Sequence, residues 1–85
     1  MKIPTIHLNG TAKSDLMEAL NEAYHAILEA EAKLSACAPN GRDYYPQGPN
    51  VIYEAQDEHC ARFAKLDDVA KEIDQIREAI DREGL

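Results

Sequence analysis

Apolar residues recur along this chain in two long periodic runs. In the first, Leu16, Leu20, Ala23, Ile27, Ala30, Leu34 and Cys37 follow one another at alternating intervals of four and three. That rhythm lays an apolar stripe along one side of a helix and predicts a helix over 13–37. In the second, Ile52, Ala55, His59, Arg62, Leu66, Val69, Ile73, Ile76 and Ile80 repeat the spacing, with no proline or glycine until Gly84. It predicts a longer helix over 50–83. Residues 38–49 hold three prolines and two glycines and read as a loop. Residues 1–10 read as an extended arm, because Pro4 bars a helix and Asn9-Gly10 marks a turn. Thr11 or Ser14 is expected to cap the first helix, with Asp15 and Glu18 in its first turn.

Two helices joined by a loop pack antiparallel. The expected fold is therefore all-α: a single domain, 1–85, built as an antiparallel two-helix hairpin with an extended N-terminal arm. The longer second helix is expected to overhang at its C-terminal turns, where Ile3, Ile6 and Leu8 of the arm would cover Ile76 and Ile80. A second apolar set lies beside the seam: Met17, Tyr24 and Leu28 on one helix, Tyr53, Cys60, Phe63 and Ala70 on the other. A lone hairpin would leave it in water, so these positions are read as the contact between copies of a helical homo-oligomer.

Charge narrows the partners. With 16 acidic against 9 basic residues the net charge is −7. Such a chain repels phosphate backbones and anionic lipid, so neither direct nucleic-acid binding nor a membrane partner is expected. No apolar run is long enough for a signal peptide or a membrane span. Cys37 and Cys60 are the only cysteines, lie at offset positions on the two helices, and are expected as free thiols in a reducing cytoplasm.

Catalytic chemistry finds little to stand on. Glu22 and His25 have the spacing of a di-iron helix bundle, but the other helix offers only Gln56 and His59 to match, and no metal ligand set is expected. His59 and Cys60 are adjacent, so on a helix they point about 100° apart and form no dyad. No nucleophile elbow, dinucleotide fingerprint or phosphate loop is present. The chain is expected to have no catalytic residue and no cofactor.

Binding chemistry is better represented. His59 and Arg62 occupy positions in the stripe where aliphatic residues are expected. Either Glu31 across the hairpin satisfies them, or they face an anion at the loop end. The loop brings Arg42, Tyr44, Tyr45 and Gln47 together between stiffening prolines. Tyrosine offers a face for stacking and arginine a planar fork for phosphate; alternatively the tyrosines staple the loop to the helix ends. The Asn9-Gly10-Thr11 turn places backbone N–H groups at a helix start, the positive end of its dipole. Loop and turn lie at opposite ends of one hairpin, so only neighbouring copies packed antiparallel could join them.

Taken together, Ile6-His-Leu-Asn-Gly-Thr11, Ala38-Pro-Asn-Gly-Arg-Asp-Tyr-Tyr-Pro-Gln-Gly48, Ala55-Gln-Asp-Glu-His59 and Arg62 resemble a family of small proteins carried by bacteriophages and prophages. The resemblance spans nearly the whole chain, and the loop is its specific part. It implies a place in the cytoplasm of the host bacterial cell and a role in phage counter-defence. By architecture alone, the chain is similar to the oligomeric sponges that sequester nucleotide immune signals, the anti-CBASS and anti-Thoeris proteins. The expectation is a non-enzymatic binder that captures a small nucleotide-like ligand at subunit junctions through Asn9, Gly10, Thr11, Arg42, Tyr44, Tyr45, Gln47, His59 and Arg62. The alternative is an acidic protein-interaction module whose carboxylates (Glu18, Glu22, Glu29, Asp57, Asp67, Asp68, Asp74) occupy a basic site on a host nuclease or DNA-binding protein.

Overall fold

The computed structural model describes residues 1–83 and is all-helical, with no strand among them. Helix α1 spans Lys13–Ala36, a short α2 spans Gly41–Tyr44, and α3 spans Val51–Asp81. The two long helices form an antiparallel hairpin, 62 Å long and only 20 by 17 Å across. The 38–49 segment is more ordered than a plain loop. Asn40 caps α2, its side-chain oxygen accepting from the Arg42 N–H at 2.9 Å. A 3-10 turn, Tyr45–Gln47, follows with Pro46 near its start, where a missing N–H costs nothing. Gly48 then turns the chain into α3 at φ 138° and ψ 161°, a conformation essentially confined to glycine.

Three contacts fix the register of the hairpin. Arg77 donates to Asn21 Oδ1 at 2.8 Å, Glu31 lies against Asp67, and Lys13 Nζ donates to the carbonyls of Asp81 and Glu83 at 3.0 and 2.7 Å. Residue numbers across the seam sum to about 98, so Ala36 ends level with Arg62. The overhang is therefore at the N-terminal end of α3, residues 51–61, and not at its C-terminal turns. The 38–49 segment folds back along that overhang and replaces the missing helix, with α2 and the 3-10 turn packed on α3. Lys13 supplies the donors that the last carbonyls of α3 lack.

The seam is rotated from the one expected. On α1 the half-buried positions are Leu16, Met17, Leu20, Tyr24, Ile27, Glu31 and Leu34, while Ala23, Ala30 and Cys37 are exposed. On α3, Phe63 and Ala70 take the places expected for Arg62 and Val69, which face solvent. Size decides two of these positions, Tyr24 over Ala23 and Phe63 over Arg62, because each buries more apolar surface; Ala70 enters in place of the larger Val69 because it stands seven residues from Phe63, on the same side of the helix. Met17, Tyr24 and Phe63, expected at a contact between copies, thus belong to the fold of one chain. Of that set Leu28, Tyr53 and Cys60 remain exposed.

The arm behaves partly as expected. Ile6 is buried, its N–H donating to Glu83 Oε2 at 2.9 Å, at the end where Ile80 is fully enclosed. Leu8 points away and is 94% exposed. The N-cap of α1 is Ala12, with no side-chain hydrogen bond, so neither Thr11 nor Ser14 caps it. Gly84, expected to end α3, lies outside the described residues, and α3 ends at Asp81.

Candidate functional site

The overhanging turns of α3 and the segment folded onto them enclose a recess that gathers several of the expected binding residues. Tyr44 and Gln47 form one wall; Val51, Glu54, Ala55, Glu58 and Arg62 form the other, around about 280 Å3. α3 provides Glu54, Glu58 and Arg62 because residues four apart stack on one helix face. Tyr44 is half-buried against them, and Ala55 beneath is buried. A small residue at 55 is what leaves room for the tyrosine ring to approach the helix.

The electrostatics are mixed. Arg62 is the one cation of the wall and pairs with Glu58 at 3.4 Å, both side chains mostly exposed. An exposed pair of this kind contributes under about 1 kcal/mol, so a ligand phosphate displaces Glu58 from Arg62 at small cost. Glu54 and the freed Glu58 would then accept hydrogen bonds from amino groups. The recess therefore suits a ligand carrying both an anionic group and donor groups, and resists a bare anion.

The remaining expected residues are placed as follows. Arg42 and Tyr45 stand beside the recess on the same segment, both exposed, but do not line it. His59 faces the seam and is half-buried. Glu31 does not reach it or Arg62; it lies two turns away, against Asp67 and Lys71. There the Glu31 carboxyl is raised above its ordinary value, by desolvation first and by the Asp67 carboxylate second, and its Oε1 is buried with no hydrogen-bond partner. Asp67 is itself held by Lys71 at 3.0 Å, which raises the lysine.

Asn9, Gly10 and Thr11 lie at the far end of the hairpin, beside a second crevice of about 350 Å3 that runs from Ile6 to Ser14. The Gly10 N–H donates to the His7 carbonyl at 3.1 Å. The His7 ring lies over Gly10 so closely that a Cβ there would sit 2.7 Å from Nε2. Gly10 therefore makes room for the His7 ring as well as forming the turn that Asn9-Gly10 predicts. A further concavity, about 750 Å3, runs along α1 from Ser14 to Glu29 but is walled by α1 alone. Without a second wall it cannot enclose a ligand.

No cluster of three or more histidine, cysteine or acidic side chains that could hold a metal ion occurs among the described residues. Both cysteines are free and exposed. Among the described residues no helix is long and apolar enough to cross a membrane. No protein-family model, no curated protein and no solved structure matches the chain.

Proposed function

We propose that this chain is a non-enzymatic binding protein that works as a helical homo-oligomer and captures a small nucleotide-like ligand at the junction between copies. The observation that carries this reading is the recess at the overhang. It joins an aromatic face (Tyr44), an amide (Gln47) and a guanidinium held only by an exposed carboxylate (Arg62). A nucleotide offers the matching set: a base to stack, polar edges, and phosphate. Arg42 and Tyr45, exposed beside the recess, extend the same chemistry to the parts of a ligand that project from it. The recess lies beyond the end of α1, along the flank of α3 that Val51, Glu58 and Arg62 share, and another copy on that flank would close it. The resemblance to phage proteins fits a role in counter-defence within the infected cell, where sequestering a signal requires affinity and no turnover.

Calorimetric titration against cyclic dinucleotides, cyclic trinucleotides and ADP-ribose-like molecules tests the reading. Binding by at least one, weakened roughly tenfold or more by Arg62→Ala through loss of a charge-assisted hydrogen bond worth about 1.5–3 kcal/mol, is the expected result. No binding across the panel, together with lowered stability in Tyr44→Ala, sinks it.

A second reading rests on a separate observation. Glu18, Glu22 and Glu29 are exposed along α1 and form no ion pair among the described residues. Such a stripe suits a basic partner protein. Neutralising all three would then abolish partner capture, while Arg62→Ala would leave it intact.

A further inference from the structure

The rotation of the seam has left a face uncovered. On α1, exposed Ala19, Ala23, Ala26 and Ala30 form a stripe beside the buried positions, again at intervals of four and three. On α3 the corresponding flank carries Val69, 45% exposed, and Ile76. Both flanks lie about a quarter-turn to the same side of the seam. Advancing 100° per residue along two antiparallel helices, they come out on one side of the hairpin. The opposite side carries Asn21, Asp67, Asp74 and Glu78 beside the exposed Leu28. The first side is therefore the less charged of the two along the middle of the hairpin, with Lys65 and Glu72 at its margin.

Area and charge identify what covers that side. The chain exposes 6319 Å2, against about 5,000 Å2 for a compact protein of its mass. The surplus of roughly 1,300 Å2 exceeds the ~800 Å2 per partner of a stable interface. Its radius of gyration is 18.8 Å, where about 12 Å is usual for this length. A second hairpin laid on this face completes a four-helix bundle, and alanines on α1 allow the close approach.

Two symmetric arrangements are open. A two-fold axis parallel to the helices stacks α1 on α3 of the other copy at equal height. It brings Lys33 beside Lys65, like charges together, and Glu29 level with Val69. A two-fold axis across the helices stacks α1 on α1 antiparallel. Centred between Ile27 and Leu28, it brings Lys33 beside Glu22 at both symmetric points, opposite charges together, with Glu58 and Glu83, a like pair, level near the ends of the contact.

The second arrangement also places the recess. It opens on the same face, since Val51, Glu58 and Arg62 share the flank of Val69 and Ile76. Antiparallel stacking sets α3 residues near 53 level with the far end of the other hairpin, where the Asn9-Gly10-Thr11 turn stands. We infer that two copies pair antiparallel through the Ala19–Ala30 and Val69–Ile76 face, and that pairing seats the Asn9-Gly10-Thr11 turn of each copy over the Tyr44–Arg62 recess of the other. The inference rests on the proposed binding role, and supplies the closing wall that role needs.

Two measurements, both independent of ligand, test it. Arginine at an exposed helix position costs an isolated hairpin little, so Ala26→Arg should stay helical while light scattering falls to the mass of one chain, or to half the wild-type mass if pairs assemble further. A variant that keeps the wild-type mass overturns the inference. For the register, Thr11→Cys and Gln47→Cys proteins, each also carrying Cys37→Ala and Cys60→Ala, are mixed and treated with a short bis-maleimide. Positions 11 and 47 sit at opposite ends of a hairpin 62 Å long, so they can join only between chains. A peptide linking 11 to 47 is expected; exclusive 11–11 and 47–47 products overturn the arrangement. If pairing holds but no nucleotide binds, the pairing stands and the proposed function falls. If nucleotides bind a chain that stays monomeric, the pairing and capture at a junction both fall, and nucleotide binding at the recess of one chain stands.

Discussion

The charge balance of the recess makes a prediction of sign as well as size. Glu58→Gln removes the carboxylate that occupies Arg62 and keeps the shape of the side chain. Arg62 and Glu58 are 3.4 Å apart with side-chain exposures of 59% and 67%, so breaking the pair costs the fold less than about 1 kcal/mol. For a ligand phosphate held about 6 Å from position 58, the lost repulsion is of the order of 0.5–1 kcal/mol at the high effective dielectric of a mostly exposed site. The expected result is phosphate-bearing ligands bound roughly two- to fivefold more tightly, with the melting temperature shifted by no more than a few degrees. Calorimetry at low salt and again at about 0.5 M salt checks it. The gain should shrink at high salt, where the screening length falls to a few ångströms. Arg62→Ala should move affinity the other way, and in Arg62→Ala/Glu58→Gln most of the gain should vanish. Weaker binding in Glu58→Gln would show that the ligand uses this carboxylate more than the guanidinium, and that Arg62 is not a phosphate site.

Three further outcomes follow from the fold. Ile80→Ala, at a fully buried side chain, deletes three carbons under an arm that can partly collapse onto the gap. A loss of about 2–4 kcal/mol in urea unfolding is expected, against less than about 0.5 kcal/mol for the exposed Glu29→Gln. Glu31→Gln should change how stability depends on pH. A carboxyl raised on folding holds its proton more tightly in the folded state. Its favourable contribution is therefore complete below the ordinary glutamate value and is lost as pH rises from there through the raised folded value. Wild type should weaken over that window relative to the variant, and parallel profiles from pH 4 to 7 would refute the assignment. Cys37→Ala and Cys60→Ala should each fold with little loss, and reductant should leave melting unchanged, since both thiols are free and exposed.

The sequence by itself determined the two long helices and their ends to within two residues, because a four-three spacing of apolar side chains over many turns has no other regular solution. Pro39, Gly41 and Gly48 likewise determined that the chain must break and reverse between them, and Gly48 does so at a backbone angle other residues avoid. The packing of the arm on the far end of α3 was legible in part: of Ile3, Ile6 and Leu8, expected together over Ile76 and Ile80, Ile6 is buried while Ile3 and Leu8 are exposed.

Only the tertiary structure decided which half of a broad apolar stripe is covered. Ala23 and Tyr24 are 100° apart and both suit a seam; the second helix has one width and buries the larger. That choice moved Met17, Tyr24 and Phe63 into the hairpin, put Arg62 on the surface beside Glu58, and exposed the alanines. Register was equally beyond periodicity, since a stripe that repeats every seven residues fits at several offsets. Packing and the Arg77, Lys13 and Ile6 hydrogen bonds select one. That offset leaves α3 bare at its N-terminal turns, so it also decides where Tyr44 and Gln47 meet Arg62.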